Sequence, residues 1–175
     1  MSPEDLIKRY NIRWFYHFTD ESNVGAIIKR KGLYSLELLE GFKIVPKRPG
    51  GDELSRNLDV KKRMNHYVHL SFTKDHPMKF VAEEQGRIGP IRVLRIESSV
   101  LKRPRVRITP DVANKRDVPV YSVGESANHI DYEVIYDYMD WNDPQIQERR
   151  RQAKRAEILV PVMVSAELID FNFNG

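Results

Sequence analysis

Glu157 stands at the entrance of an apolar segment, residues 158–162, and follows a strongly basic run at residues 149–155. A core strand seldom tolerates a charge without a partner, so this carboxylate needs either a partner or a chemical task. If Glu157 points into a cleft framed by the basic run, it is an acidic catalytic group inside a site built for anions. An ion pair with Arg151 or Arg155 is the alternative, and the local sequence leaves both interpretations open.

His17 is the second candidate for chemistry. It lies at the end of an aromatic segment, residues 14–18, immediately before a helix predicted over residues 20–31. A histidine in that place can hydrogen-bond a ligand hydroxyl while the N-terminus of the helix attracts phosphate. A packed histidine inside an aromatic cluster explains the same pattern, so both roles stay open.

Several other chemistries are disfavoured by residue type and spacing. The chain has no cysteine, which excludes disulfides, thiolate nucleophiles and cysteine metal sites. No glycine-rich phosphate-binding fingerprint follows a strand. His66 and His69 are three residues apart in a predicted strand, where that spacing places them on opposite faces. Because no carboxylate–histidine spacing matches a zinc pattern, we expect no metal.

The charges are unevenly distributed along the chain, although the formal net charge is only +4. Basic residues cluster at 43–48, 56–63, 102–107 and 149–155, whereas acidic residues gather at 131–143. Such segregation favours a positive face directed toward phosphate. Any one of these clusters is equally well explained as solvated surface.

The length and composition are those of a globular protein. At 175 residues, of which 31% are charged and 41% hydrophobic, we expect a single domain spanning residues 1–175. No apolar run approaches the roughly 18 residues that a membrane span needs. The acidic N-terminus also lacks a signal-peptide profile. We therefore expect a cytoplasmic protein without a membrane partner.

The elements that must position these residues are strands and short helices without a regular βα repeat. Helices are predicted over residues 2–10, 20–31, 75–86 and 143–155. Strands are predicted over residues 14–18, 67–72, 91–97, 106–108 and 157–162. Residues 41–57 and 109–128 are predicted to be irregular, and 132–138 fits either a helix or a strand. This order favours an α+β fold with a mainly antiparallel sheet.

Three blocks of the sequence, in this order, carry a resemblance to a known family. The first block is Tyr16-His17-Phe18-Thr19-Asp20, followed by Asn23, Ile27-Ile28 and Gly32-Leu33. The second block is Tyr67-Val68-His69-Leu70-Ser71-Phe72-Thr73, which continues into His76-Pro77-Met78. The third block consists of a tyrosine-rich segment, a Trp, Asp-Pro, a basic helix and Ala156-Glu157-Ile158-Leu159-Val160-Pro161. Together they resemble the DarT-like DNA ADP-ribosyltransferase toxins, and they cover most of the chain.

The resemblance implies an NAD-dependent enzyme with ADP-ribosyltransferase-like split antiparallel β-sheets and peripheral helices. Such enzymes bind NAD in a cleft, expel nicotinamide and join ADP-ribose to a nucleobase, here one in single-stranded DNA. By the family pattern, Glu157 is the catalytic glutamate and Arg56 the arginine of the loop after the first helix. His17 and Thr19 hold the nicotinamide ribose and amide region.

Further contacts are expected from the same resemblance. The cofactor-binding residues are predicted to be His17, Phe18, Thr19, Asn23, Leu33, Ser71 and Phe72. The nucleic-acid-binding residues are predicted to be Met78, Asp111, Asn114, Arg149, Arg150 and Lys154. Core packing explains Phe18 and Phe72 almost as well, and loop capping is an alternative role for Asp111 and Asn114.

The chemistry of the residues is consistent with these roles. Breaking the bond to nicotinamide builds positive charge on the ribose, as in glycoside hydrolysis. A fixed carboxylate such as Glu157 stabilises that charge, and it can also take a proton from the incoming base. The planar fork of Arg56 suits the two oxygens of a phosphate. Basic clusters follow a single-stranded backbone and leave the target base reachable.

The chain departs from the thymine-modifying members of the family at two places. They have a Tyr-Phe pair where this chain has Ser71-Phe72, and their Asp-Gly-Asn/His-Ala element is present here only as residues 111–114. We therefore predict guanine rather than thymine as the acceptor. As a toxin, the protein is expected to have a neutralising ADP-ribose hydrolase, of macrodomain type or similar.

Two other functions remain open from the sequence. Residues 66–71 also resemble RNA 2′-phosphotransferases, which favours a related transferase acting on RNA or on an RNA 2′-phosphate. The basic clusters are equally compatible with a non-catalytic nucleic-acid-binding module, which predicts no NAD binding and a steep salt dependence of DNA affinity.

Overall fold

The structure is a computed structural model that describes residues 1–47, 57, 63–86 and 88–173. Arg56, predicted to act in catalysis, lies outside the described residues. Within these ranges, no helix has the length and apolarity that crossing a bilayer requires.

Antiparallel strands dominate the fold, as the sequence predicted. The strands described are β1 (Trp14–Asp20), β2 (Gly32–Tyr34), β3 (Tyr67–Ser71), β4 (Ile91–Glu97), β5 (Arg107–Thr109), β6 (Tyr121–Ser122), β7 (Glu157–Pro161), β8 (Met163–Ser165) and β9 (Ile169–Asp170). Seven of them form one sheet in the order β6-β5-β7-β3-β1-β4-β9, and β2 pairs with β8 in a second, smaller sheet. The α+β fold with an antiparallel sheet is therefore confirmed.

Short helices surround these sheets. The α-helices described are α1 (Pro3–Arg9), α2 (Glu21–Lys29), α3 (Leu36–Gly41), α4 (Pro77–Glu84), α5 (Val123–Ser126), α6 (Tyr132–Tyr136) and α7 (Pro144–Ala153). Three of them begin at the polar residues with which the predicted helices start: Ser2 caps α1, Asp20 caps α2 and Asp143 caps α7. Each cap oxygen accepts a hydrogen bond from a backbone N–H that has no partner inside the helix.

Several local predictions were wrong. The segment 109–128 is not wholly irregular, because it contains β6 and α5, which begins with a reciprocal capping box between Ser122 and Glu125. The helix predicted from residue 75 begins at Pro77, because the His76 ring caps α4 by accepting a hydrogen bond from the Met78 N–H. His66 precedes β3, so the opposite-face argument for His66 and His69 does not apply.

The ambiguous segment at 132–138 is helical over residues 132–136. Its N-cap is Asp131, whose side chain accepts a hydrogen bond from the Val134 N–H. The side chains of Tyr132, Val134 and Ile135 are buried, so packing on the sheet stabilises this short helix.

The seven-stranded sheet is divided near its middle. β1 pairs with β4 along all of its residues, from Trp14 to Asp20, and β3 pairs with β7 along all of its own. Between β1 and β3, in contrast, the register contains only the pair Tyr16 and Ser71. The two halves therefore meet at one point and diverge from it, as predicted for split sheets.

Side chains reinforce the junction between the two halves. The His17 ring bonds through Nδ1 to the His69 carbonyl oxygen at 3.0 Å. The Ser71 hydroxyl lies 3.2 Å from the Tyr16 carbonyl oxygen and 2.9 Å from that of Thr73. Polar side chains thus replace part of the backbone ladder that the diverging strands do not form.

β7 lies on one side of this junction and is buried along most of its length. Ile158, Leu159 and Val160 are 0% exposed, as expected for a strand covered on both faces. Their neighbour Glu157, at the first position of the strand, is only 7% exposed. The fold therefore places a carboxylate in the core, one strand away from the split.

Candidate active site

Glu157 is held by hydrogen bonds from two other parts of the chain. Its Oε2 atom lies 3.0 Å from His69 Nδ1 on β3 and 3.0 Å from the backbone nitrogen of Ala113. Its Oε1 atom lies 3.8 Å from Nε2 of His76. The partners are thus two imidazoles and one amide, rather than the arginines of the basic run.

Strand register places Glu157 beside the junction of the sheet. Glu157 is paired with Ser71 on β3, and Ser71 is paired with Tyr16 on β1. Residues directly opposite each other in antiparallel strands have side chains on the same face, with Cβ atoms about 5 Å apart. A single cross-strand row therefore brings residues 16, 71 and 157 together from three distant parts of the sequence.

Glu157 is ionised at neutral pH. Burial by itself raises the pKa of this carboxyl, but the hydrogen bond from His69 and the nearby His69 and His76 rings outweigh burial. The Ala113 N–H acts in the same direction, and the pKa falls below its ordinary value of 4.5. The site thus holds a fixed negative charge in a poorly hydrated place.

His17 is half-buried, His76 is buried, and both are neutral. Burial lowers the pKa of His17 below its ordinary value of 6.5, and the bond to the His69 carbonyl opposes the shift only in part. The His17 Nδ1–H is the donor of that bond, so its Nε2 is left as an acceptor. Burial likewise lowers the pKa of His76, with the charge of Glu157 opposing it.

The predicted cofactor residues near the start of α2 lie close together. Thr19 is buried, and its hydroxyl oxygen accepts a hydrogen bond of 3.3 Å from the Asn23 amide. The side-chain oxygen Oδ1 of Asn23 in turn accepts a hydrogen bond of 3.1 Å from the Lys47 backbone N–H. Asn23 therefore connects β1 to the chain just before residue 48. Phe18 is half-buried, and its ring stacks on that of His17.

Two other predicted cofactor residues are packed in the core. Phe72 is 2% exposed, and its ring meets those of Phe15 and Tyr132 edge-on at 5.6 Å in each case. Leu33 is buried on β2, where it is paired with Val164 of β8. The alternative considered for Phe72, core packing, accounts for its side chain here. Contact of either residue with NAD stays a prediction.

The basic run is largely paired within the protein. Arg149 makes two hydrogen bonds, of 2.7 and 2.9 Å, to the carboxylate of Asp131. These bonds raise the pKa of Arg149 and lower the pKa of Asp131. Arg150 donates to the Val134 carbonyl oxygen at 3.0 Å and lies over the ring of Trp141 at 4.5 Å. Both arginines join α7 to the segment before it.

Two other predicted nucleic-acid contacts, Asp111 and Asn114, lie on the loop that carries the Ala113 amide bonded to Glu157. Asp111 accepts from Arg155 Nε at 2.8 Å and from Lys115 Nζ at 2.9 Å, so its carboxylate fastens the loop. Asn114 follows the Ala113 amide that donates to Glu157 and is half-exposed. Whether these residues contact DNA stays a prediction.

The last two predicted contacts lie at the ends of α4 and α7. Met78, on the first turn of α4, is half-buried. Lys154, at the end of α7, lies 3.6 Å from Asp75, just before α4. An ion pair thus joins the two helix ends beside the loop that precedes Glu157.

An open cleft of about 540 Å³ lies beside the loop at residues 110–115. Its lining consists of Pro110, Asp111, Glu148, Arg151, Gln152 and Arg155. Arg151 is largely exposed and pairs with Glu148 one helical turn before it. Cations and anions both line the cleft, so it is polar without a strong charge of either sign.

The groups that hold Glu157 were not predicted from the sequence. His69 and His76 lie in the second block of the resemblance, but no role was assigned to either. A histidine is a reasonable partner for a buried carboxylate, so the sequence contained a signal for both. The backbone N–H of Ala113 has no such signal, because every residue except proline carries one.

The arrangement is suited to stabilising a cation beside the split of the sheet. A buried, ionised carboxylate with fixed partners acts strongly on a positive charge that forms next to it, because little water screens it. No cluster of three or more metal-ligating side chains occurs in the described ranges.

A split antiparallel sheet, with an ionised glutamate at the first position of β7, one strand away from the split, defines an ADP-ribosyltransferase-like protein. Comparison with known families specifies this class further. A family model described as "ssDNA thymidine ADP-ribosyltransferase, DarT" matches residues 16–170. The chain therefore belongs to the DarT family of DNA ADP-ribosyltransferases, as the three sequence blocks predicted.

Solved structures show the same fold. Thermus sp. 2.9 DarT in complex with ADP-ribosylated ssDNA matches with a TM-score of 0.66 and 18% identity, over 91% of this chain and 79% of that one. The same protein in complex with NAD+ matches with a TM-score of 0.62 and 20% identity, over 91% and 80%.

Thermosipho africanus DarTG in complex with ADP-ribose matches with a TM-score of 0.68 and 22% identity. The match covers 90% of this chain but only 43% of that one, so this chain corresponds to less than half of the Thermosipho protein. The comparison with curated proteins found no match.

Proposed function

We propose that this protein transfers ADP-ribose from NAD to a base of single-stranded DNA, with Glu157 as the group that stabilises the transition state. The observation that carries this proposal is the ionised carboxylate held at the split of the sheet by His69 and Ala113. Membership of the DarT family supports the reaction class, and the Thermus structures with NAD+ and with ADP-ribosylated ssDNA support the two substrates.

The chemistry separates into two events at one ribose carbon. The bond from C1′ to the nicotinamide nitrogen breaks, and its electron pair leaves with nicotinamide. A nitrogen of the base then bonds to C1′ and gives up its proton to water. Glu157 opposes the positive charge on the ribose during this exchange. Its lowered pKa makes it a weak proton acceptor, which favours the electrostatic role over that of a base.

Residues near Glu157 are proposed to bind NAD. The Nε2 acceptor of His17 is suited to a ribose hydroxyl, and the Phe18 ring stacks on the His17 ring. Thr19 follows on the same strand, and Ser71 is paired with Tyr16, the residue before His17. Asn23, Leu33 and Phe72 are proposed to shape the cleft by packing. From the resemblance alone, Arg56 is proposed to hold the pyrophosphate.

DNA is proposed to approach along the open cleft beside the loop at 110–115. Arg151 is 76% exposed at its side chain, and its pair with Glu148 lies at the surface. Ion pairs at the surface contribute little to stability, so a DNA phosphate can compete with Glu148 for Arg151. Asn114 lies on the same loop, next to the amide that holds Glu157, where it can face the acceptor base.

Thymine is proposed as the acceptor base. The family description names thymidine, which disfavours the guanine predicted from positions 71 and 111–114. The single-stranded DNA in that description also favours DNA over the RNA alternative. Family membership sets aside the non-catalytic module.

The biological setting is proposed by analogy. A DarTG protein is among the structural relatives, which supports a toxin whose partner is an ADP-ribose hydrolase of macrodomain type or similar. A single domain over residues 1–175 and a cytoplasmic location complete the proposal.

Labelled NAD and oligonucleotides test this function. The protein is incubated with NAD labelled in the adenylate phosphate and with single-stranded DNA or RNA, beside Glu157→Gln, which keeps the shape of the side chain and removes its charge. We expect the wild-type protein to transfer label to the DNA, and the rate of transfer to be lower by about 100-fold or more in the variant. Label on RNA alone, or undiminished transfer by the variant, would contradict the proposal. Mass spectrometry of released nucleosides identifies thymine or guanine.

A further inference from the structure

The two carboxylate oxygens of Glu157 have different environments. Oε2 accepts both strong hydrogen bonds, from His69 Nδ1 and from the Ala113 N–H, each at 3.0 Å. Oε1 accepts none within the described part of the chain, and its nearest imidazole nitrogen is that of His76 at 3.8 Å. The carboxylate is therefore fixed through one oxygen, and the other remains available.

We infer that His69 is a positioning residue for the transferase reaction: together with the Ala113 N–H it locks Oε2, so that Oε1 of Glu157 faces the reacting ribose. This inference rests on the proposed function. His69 does not itself touch the ribose, but it fixes the direction and the ionisation of the group that does.

His69 is well placed for this task because it contacts both candidate substrate-binding residues. Its side chain bonds to Glu157, and its backbone carbonyl accepts the hydrogen bond from the His17 ring at 3.0 Å. The other nitrogen of its own ring faces the Met64 carbonyl oxygen at 3.4 Å, which limits rotation of the ring. One residue of β3 therefore sets the distance between the carboxylate and the His17 acceptor.

The second support of Oε2 is held from outside the site. Asp111 accepts from Arg155 Nε at 2.8 Å, and the carbonyl oxygen of Arg155 faces the His76 ring at 3.4 Å. The ion pair thus anchors the loop that carries the Ala113 amide. With this amide in place, loss of His69 leaves one strong hydrogen bond on Oε2, about which the carboxylate can turn.

The expected kinetic signature is a loss in kcat. A reacting group displaced by about 1 Å can cost up to about 100-fold in rate. NAD affinity depends mainly on contacts elsewhere in the cleft, so KM is expected to change little. A merely structural role would instead lower the amount of folded protein and leave the kcat of the folded fraction intact.

Three variants test the inference. His69→Ala removes the donor, whereas His69→Asn keeps an N–H near the position of Nδ1. His66→Ala is the matched control, because His66 lies in the turn before β3 and its ring contacts the Tyr67 ring rather than Glu157. With DNA and NAD, we expect kcat to fall about 10- to 100-fold in His69→Ala, to recover largely in His69→Asn and to stay at the wild-type value in His66→Ala.

A second readout needs no substrate. In protein labelled with 13C at glutamate carboxyls, NMR titration follows the pKa of Glu157 directly, and His69→Ala should raise it because the hydrogen bond and the nearby ring are lost. An unchanged pKa, or equal kcat in His69→Ala and wild type, would overturn the inference. If wild-type protein modifies no DNA but the titration shifts as expected, the proposed function fails while the link between His69 and Glu157 stands.

Discussion

Glu157 is a buried carboxylate whose described partners include no arginine or lysine. The sequence left open an ion pair with Arg151 or Arg155, but these side chains pair with Glu148 and Asp111 instead. Imidazole and amide donors keep the carboxylate ionised without neutralising it with a permanent cation. This pairing is consistent with the role proposed for Glu157 beside a positively charged ribose.

The neutral histidines predict how stability depends on pH. Burial lowers the pKa of His17 and His76 below 6.5, so the unfolded chain binds protons below that pH that the folded chain does not bind. Stability must then decrease as the pH falls from 7 to 5, by up to about 1.4 kcal/mol per pH unit for each such histidine. Urea unfolding at several pH values measures this slope.

A matched variant isolates one of the two histidines. His76→Asn removes the titrating ring and keeps an acceptor for the Met78 N–H, which caps α4. We expect a shallower slope in this variant. A stability that stays level or rises toward pH 5 in the wild-type protein would show that the two histidines are not buried in their neutral form.

At the scale of elements, the acidic and basic clusters of the sequence are not segregated in space. The acidic stretch at 131–143 and the basic α7 face each other. Arg149 bonds to Asp131 and lies 3.5 Å from Glu133. The positive face that the sequence predicted is therefore limited, along α7, to the residues near the cleft. Pairing between neighbouring elements explains the basic run better than a continuous phosphate-binding face.

Asp131 performs two tasks at this contact, which predicts its importance for stability. Its carboxylate accepts the capping bond from Val134 and both hydrogen bonds from Arg149. In Asp131→Ala we expect a loss of about 1 kcal/mol from the cap alone, with loosening of α6 against α7. Asp137→Ala, an exposed position at the end of α6, is the control and should change little. Equal stability of the two variants in urea unfolding would argue against this double role of Asp131.

At the scale of the molecule, one hydrophobic core connects all parts of the fold. The cluster runs from Leu6 in α1 to Ile169 in β9 and includes residues from both halves of the split sheet. The junction at Tyr16 and Ser71 is narrow, but the packed side chains are continuous across it. This continuity supports a single cooperative domain.

Calorimetry tests the cooperativity. For 175 residues we expect one transition with an unfolding enthalpy of about 120 kcal/mol near 60 °C, at about 0.7 kcal/mol per residue. The calorimetric and van't Hoff enthalpies should agree. Two separate transitions would mean that the halves of the sheet unfold independently, against the expectation of one domain.

The sequence by itself determined most of the elements and the family. Apolar periodicity and cap residues predicted α1, α2, α7 and the central strands, because these signals act within one or two turns or along one strand. The order of the three blocks predicted the split sheet, which the structure confirmed, and assigned Glu157 and His17 to the candidate site.

The tertiary structure decided what surrounds those residues. The partners of Glu157 are 88 residues away at His69 and 44 residues away at Ala113. Such contacts depend on strand register and on the path of the loop, which local propensity does not encode. The same holds for Arg149 and Asp131, whose pairing removed the charge segregation inferred from the chain. Residue types and the family resemblance therefore predicted Glu157 as the reacting group, and three-dimensional packing determined its charge and its neighbours.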